Sequence, residues 1–579
     1  MKFRLAVYGT MSVLTLASVT QANDGWTLNE GARIPFQHPL PSMRAEGRKN
    51  GTYNNKEMGM PCILTTKDAA LGEMMQQLRN VIWADRRLVF IDGKKLTCSN
   101  NWIRDHVHEM KGYCHWEYEL GSFLQFIIDT QRADGCYFEL IKQMDDFHWK
   151  MVNPDCYRLY PEDNLSLVRL ELEADIEYLV VEGSLQYYRV TDDAAWLKSV
   201  LPKLEQGINF ITSDPKRWDK ERGLVKRAFT IDTWDFTFDA HSSTNRRIEA
   251  NTPMAIMHGD NSGVYQAMSQ LAWMNDRFGD TQKARAWKHR AETIKANMFT
   301  HLWNGRFFIH QLPLGHSGVD NREHERLSLS NTYDMNRGVT TVAQSRSIIQ
   351  EYMRRRTTTS AFAEWFSIDP PYELFGRYKP GEYVNGAISP FTAGELAKAA
   401  FQNGYEKYGW DILLRLQTMM RQNDGKVYFL YSPKDGQPQG GGPSAWGAAS
   451  LLSAIDEGLA GVKDVGSGYD AIAFSPRFPV TGYSELRYIT GYEKSGKVVD
   501  IRYIQTDAGM RYHLRSPARE IQAHILLPDG KRCSHLWVDG KEHAFTVSRV
   551  GDSAYVDFNC NPGGKGTANL ELLFLQGRH

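Results

Sequence analysis

The sequence predicts a mainly α fold: an (α/α)6 barrel, or toroid, with a C-terminal β-sandwich module. Three observations point there. Apolar residues recur at helical spacing from about Asp68 to Ala460. Turn-rich segments cut that stretch into roughly ten to twelve helices, many in short-loop pairs. After Gly466 the pattern changes to short β runs between turn signals.

Taken in order, Lys2 and Arg4 precede a mostly apolar stretch from Leu5 to Val19, and Ala22 follows Thr20 at the small-residue spacing of a cleavage site. Residues 1–22 are therefore expected to be a signal peptide, which implies a periplasmic or secreted protein. No later stretch is long and apolar enough to span a bilayer. Residues 23–67 are rich in Gly, Pro and Asn without a strong period and are expected to be irregular.

Residues 68–462 are assigned to the barrel. Trp116, Leu120, Phe123, Leu124 and Ile127 share one helical face, as do Val264, Ala267, Met268 and Leu271, and Ala448, Leu451, Leu452 and Ile455. Short helix–helix connections produce antiparallel hairpins. Six such hairpins can close into a ring, and the lack of a fixed sequence period argues against a solenoid. Residues 463–579 are assigned to the β-sandwich, with strands at Lys497–Ile504, Gly509–Leu514 and Ile521–Leu527 and turns at Pro528-Asp529-Gly530 and Asp539-Gly540.

Lys+Arg and Asp+Glu both number 68 among the 579 residues, so the formal charge is zero. No basic patch suits a nucleic acid. The aromatic share is 12%, and flat rings pack well against the C–H faces of sugars, although most such rings serve as core. Of the seven cysteines, Cys533 and Cys560 fall together in the β region and are a candidate disulfide. No cysteine spacing fits a zinc site, so no metal and no cofactor is expected.

Four clusters could carry chemistry. Trp102-Ile103-Arg104-Asp105 offers a charged pair beside an aromatic ring, suited to clamping hydroxyls or to an internal ion pair. Asp232-Thr233-Trp234-Asp235-Phe236 sets two acids around a Trp, where desolvation would favour the protonated form a general acid needs; helix capping is the alternative. Nearby, Asp260 in His258-Gly259-Asp260-Asn261 is read as a cap first and a ligand second. Glu364-Trp365 and Glu382-Tyr383-Val384-Asn385-Gly386 supply two further acids, and Ser444-Ala445-Trp446 opens a helix with Trp446 near a rim.

In this order the clusters resemble those of the six-hairpin glycosidases, the group of glucoamylases, trehalases and processing glucosidases. Trp102-Ile103-Arg104-Asp105 resembles their sugar-holding segment, and Trp234-Asp235-Phe236 resembles the segment whose Asp is the general acid. The late segment that carries their general base is similar to Tyr431-Ser432-Pro433 with Ser444-Ala445-Trp446, but the base position falls on apolar Phe429. The resemblance implies an exo-acting glycoside hydrolase working through paired carboxylates on an oligo- or polysaccharide. Catalytic candidates are Asp235, Glu364 and Glu382, with Glu364 preferred over Glu382 as replacement base. Candidate substrate-binding residues are Trp102, Arg104, Asp105, Asp232, Trp234, Trp365, Asn385 and Trp446. A polysaccharide lyase and a non-catalytic glycan-binding protein are the competing readings.

Overall fold

The computed structural model describes residues 60–65, 70–146, 148–232, 234, 246–562 and 566–575. The expected signal peptide and residues 23–59 lie outside these. Twelve α-helices are present among the described residues: α1 Ala70–Ala84, α2 Ile103–Tyr113, α3 Ser122–Asp129, α4 Ile176–Thr191, α5 Ala194–Ile211, α6 His258–Arg277, α7 Thr281–His301, α8 Ser330–Asn336, α9 Val342–Thr358, α10 Pro390–Gln402, α11 Glu406–Gln422 and α12 Ala445–Ser453. None is long and apolar enough to cross a membrane.

The even-numbered helices touch in a closed cycle. Helix α2 packs on α4, α4 on α6, α6 on α8, α8 on α10, α10 on α12, and α12 returns to α2. The odd-numbered helices back this ring, α1 on α12, α5 on α4, α7 on α6 and α11 on α10. Sequence explains the two layers. Helix α10 is buried at every residue from Pro390 to Phe401, as expected of a helix covered on all sides. Helix α7 buries only Ala284, Trp287, Ala291, Ile294 and Met298, the 3–4 stripe of a helix with one face in water. Ser389 and Ser444 start α10 and α12 by accepting from the amides of Thr392 and Gly447.

The C-terminal region holds a seven-stranded and a five-stranded sheet. The larger runs Cys62–Thr65, Glu485–Tyr492, Lys497–Gln505, Gly509–Arg515, Thr567–Phe574, Cys533–Val538, Lys541–His543; the smaller runs Val462–Asp464, Ala471–Phe474, Glu520–Leu526, Ser553–Cys560, Thr546–Val550. Along Gly509–Arg515, Met510, Tyr512 and Leu514 are buried while Arg511, His513 and Arg515 are exposed, the alternation of a sheet with one face inward. The Tyr512 ring meets Phe474 of the other sheet at 5.7 Å, and both sheets feed one apolar cluster. Tyr488 donates to Asp456, just beyond α12, at 2.7 Å and so ties sheet to ring.

Two expectations change. Residues 62–65 of the segment expected to be irregular form an edge strand antiparallel to residues 486–489; four residues are too few to show a period. Cys533 and Cys560 stand on different sheets and neither is bonded.

Candidate active site

The amino ends of the ring helices carry a cluster of charged and aromatic groups. Arg104, in the first turn of α2, is 7% exposed. Its Nε and Nη2 donate to the two oxygens of Asp175 at 2.5 and 2.7 Å, a bidentate fork. Its Nη1 donates to Glu173 at 3.3 Å, and Nη2 also reaches Glu173. Burial opposes ionisation of Asp175, but Arg104, with help from Arg227 and Arg169, outweighs it and holds the carboxyl below its ordinary range. Beside Glu173, Glu139 is driven the other way, well up, by burial and by the charge of Glu173.

Asp260 lies in the first turn of α6 and is 1% exposed. Neither carboxylate oxygen has a hydrogen-bond partner among the described residues, so it does not cap the helix as expected. The nearest cation is Arg227, whose Nη1 is 3.7 Å from Oδ1, beyond hydrogen-bond length. Burial pushes the Asp260 carboxyl up to about 7; Arg227 works against that shift, while Asp175 and Asp232 add to it. Arg227 is oriented by a second contact, Nη2 to the carbonyl of Trp234 at 2.5 Å.

Asp232 has a left-handed backbone, φ 47°. Its carboxylate accepts from the amide of Ser330 at 3.2 Å and from the Ser330 hydroxyl, and its own amide donates to His310 Nε2 at 3.0 Å. It therefore fastens the Trp234 segment to the start of α8. A Cβ on Gly259 would lie 2.3 Å from Ser330 Oγ, so only glycine allows α6 and α8 to approach this closely.

Aromatic rings complete the circuit. Trp234 lies 6.1 Å from Phe429, Phe429 5.3 Å from Phe391, and Phe391 stacks on Trp446 at 4.9 Å. Trp446 in turn stacks on His108 and donates through Nε1 to Tyr333 at 2.8 Å. His108 follows Arg104 by four residues on α2, hence on the same helix face. A collar of neighbours thus runs from Asp175 through Arg104, His108, Trp446, Phe391, Phe429, Trp234 and Arg227 to Asp260, whose carboxyl feels the charge of Asp175.

Of the expected residues, Arg104, Asp232, Trp234 and Trp446 meet here. Asp235 lies outside the described residues. Glu364 does not join the collar: its buried carboxylate accepts from Arg415 at 2.9 and 3.0 Å and from the Tyr408 hydroxyl, both on α11. Trp365 lies under the Arg415 guanidinium at 4.5 Å. Glu382 is exposed and caps a turn through the amide of Lys379 at 2.8 Å. Asn385 is spent on backbone groups of Tyr372 and Tyr378. Trp102 packs with Leu140 and Val152, its ring 5.4 Å from Lys142 Nζ. Asp105 is half-buried, and burial raises its carboxyl to about 6.

Sequence reading missed Glu173, Asp175, Arg227, Tyr333 and His108. One signal was available: acids at 171, 173 and 175 alternate with Leu172 and Ala174 ahead of α4, a pattern that lines up carboxylates along an extended approach to a helix.

Residues 181–446 match the family model of the mannosylglycerate hydrolase MGH1-like glycoside hydrolase domain. Among solved structures the chain resembles a GH78 family rhamnosidase of Bacillus sp. GL1, with TM-score 0.54 and 14% identity over 80% of this chain and 42% of that one. It resembles the α-L-rhamnosidase of Dictyoglumus thermophilum with TM-score 0.57 and 10% identity over 89% of this chain and 50% of that one. The α-L-rhamnosidase of Streptomyces avermitilis, complexed with L-rhamnose, matches with TM-score 0.53 and 13% identity over 88% of this chain and 42% of that one. At such identities the likeness is one of fold, and the chain covers half or less of each of these three proteins. No curated protein matches the chain. Residues 181–446 thus carry the match to a glycoside hydrolase domain.

Proposed function

We propose that the chain is an exo-acting glycoside hydrolase that removes a terminal sugar from an oligo- or polysaccharide. In this reading the helical cycle is an (α/α)6 toroid, the paired sheets are a β-sandwich behind it, and the protein works in the periplasm or outside the cell. The collar is the observation that supports it. Fixed charge at Arg104 and Asp175 and flat rings at Trp234 and Trp446 meet at the amino ends of the ring helices, the mix of polar and aromatic groups that a sugar site uses. Asp235, the residue after Trp234, is assigned as the general acid that protonates the departing oxygen.

The test is incubation of the protein with a panel of oligosaccharides and glycosides, with chromatography of the released sugars. Mannosylglycerate and rhamnosides belong on that panel because similar proteins are named for them. Release of single terminal sugars, abolished in Asp235→Asn with the fold intact, is expected. Release of an unsaturated, ultraviolet-absorbing product would instead identify a lyase.

A further inference from the structure

We propose that Asp260 is the carboxylate that takes a proton from the attacking water, the role for which the sequence offered Glu364 and Glu382. The inference rests on the hydrolase reading and deepens it. Its first support is elimination among the candidate carboxylates in and around the collar. Asp175 and Glu173 are bound by Arg104, Asp232 is bound by Ser330, and Glu364 is bound by Arg415 and Tyr408 on α11. Asp260 alone among the described carboxylates of the collar has no hydrogen bond to either oxygen.

The second support is a contrast between two neighbouring pairs of the same chemistry. Arg104 and Asp175 close into a fork. Arg227 and Asp260, equally buried, stop at 3.7 Å, and Nη1 and Nε of Arg227 have no hydrogen-bond partner among the described residues. A buried cation and anion that face each other without hydrogen bonds carry an unrepaid desolvation cost. Such open polar groups mark sites where something else is to be bound. The Trp234 carbonyl holds Arg227 through Nη2, so the guanidinium is anchored while both Asp260 oxygens remain without a donor among the described residues.

The third support is Phe429. The resemblance places the family's base at that position, and the structure does bring it into the collar, between Trp234 and Phe391. An apolar ring there cannot accept a proton, so the function must come from another wall of the same space.

The step balances simply. The water oxygen forms a bond to the anomeric carbon as the glycosidic C–O bond breaks. The departing oxygen gains a proton from the acid assigned above, and the water gives its proton to Asp260. Groups acting on Asp260 include Arg227, Arg104, Asp175 and Asp232, with His258 two residues away. Their balance with burial leaves the carboxyl near 7, suited to a base working at neutral pH.

The experiment compares wild type, Asp260→Asn and Asp260→Ala on a glycoside the wild type hydrolyses, with product anomers read by proton NMR and melting temperature as the check on folding. Expected are inversion of configuration by the wild type, a fall in kcat on the order of 10³ in both variants, and recovery in Asp260→Ala with sodium azide, giving the glycosyl azide. A merely structural carboxylate would give no azide product. An Asp260→Asn enzyme within threefold of wild type, or net retention by the wild type, overturns the assignment and leaves the hydrolase reading standing. A wild type inert across the whole panel overturns both.

Discussion

The rings of His108 and Trp446 lie 4.3 Å apart and within 7° of parallel. This contact joins α2 to the first turn of α12, where the helical cycle closes. Burial, with Lys111 and Arg337 nearby, keeps His108 well below its usual pKa and so neutral. Trp446→Phe keeps a flat ring but gives up the hydrogen bond to Tyr333; about 1 kcal/mol of stability should be lost, with a rise in KM. Trp446→Ala should cost about 3–5 kcal/mol. Urea denaturation and steady-state kinetics on the same preparations check both.

Arg104→Lys keeps the charge and removes the fork. A lysine cannot serve both oxygens of Asp175 and also Glu173. Two buried carboxylates are then left short of donors, and a loss of about 3–5 kcal/mol is expected. The urea midpoint should fall accordingly, with a larger loss for Arg104→Ala.

Glu364→Gln separates structure from chemistry. Its carboxylate holds Arg415 and Tyr408 on α11, with Arg356 at 3.6 Å. The variant should melt several degrees lower while its kcat, measured at 25 °C, stays within twofold of wild type. A collapse of kcat at unchanged stability would return Glu364 to the catalytic list.

Asp260 has a folded pKa of about 7 against an ordinary 3.8. In that window the native state binds more protons than the unfolded chain, so stability falls as pH rises, by roughly 1 kcal/mol per pH unit. Below 3.8 the group contributes no slope. Asp260→Asn should flatten this limb and melt higher than wild type at pH 8, which calorimetry from pH 4 to 8 would reveal. A carboxylate held at a stability cost is typical of a functional position.

Much of the fold was legible because helices with one wet face announce themselves: the α7 stripe is plain in the sequence. Helix α10, buried all round, shows no stripe for the sequence to reveal. The site was less legible because its meaning lies in partners far along the chain. Glu364 beside a Trp looks like a ligand until Arg415, 51 residues on, is seen to occupy it. Arg104 looks free until Asp175, 71 residues on, takes it. Asp260 looks like a cap because it stands in a first turn, yet in the fold it binds no amide among the described residues.

The short edge strand Cys62–Thr65 pairs with Arg487 and its neighbours, residues made roughly four hundred positions later. During synthesis this strand therefore meets its partner only after residue 489 has left the ribosome. The ring is further stitched to the sheets by Tyr488 with Asp456 and by Ser553 with Glu406. Cutting the gene near residue 462 would strand half of each stitch, so the two pieces are better regarded as one cooperative body than as an enzyme carrying a detachable appendage.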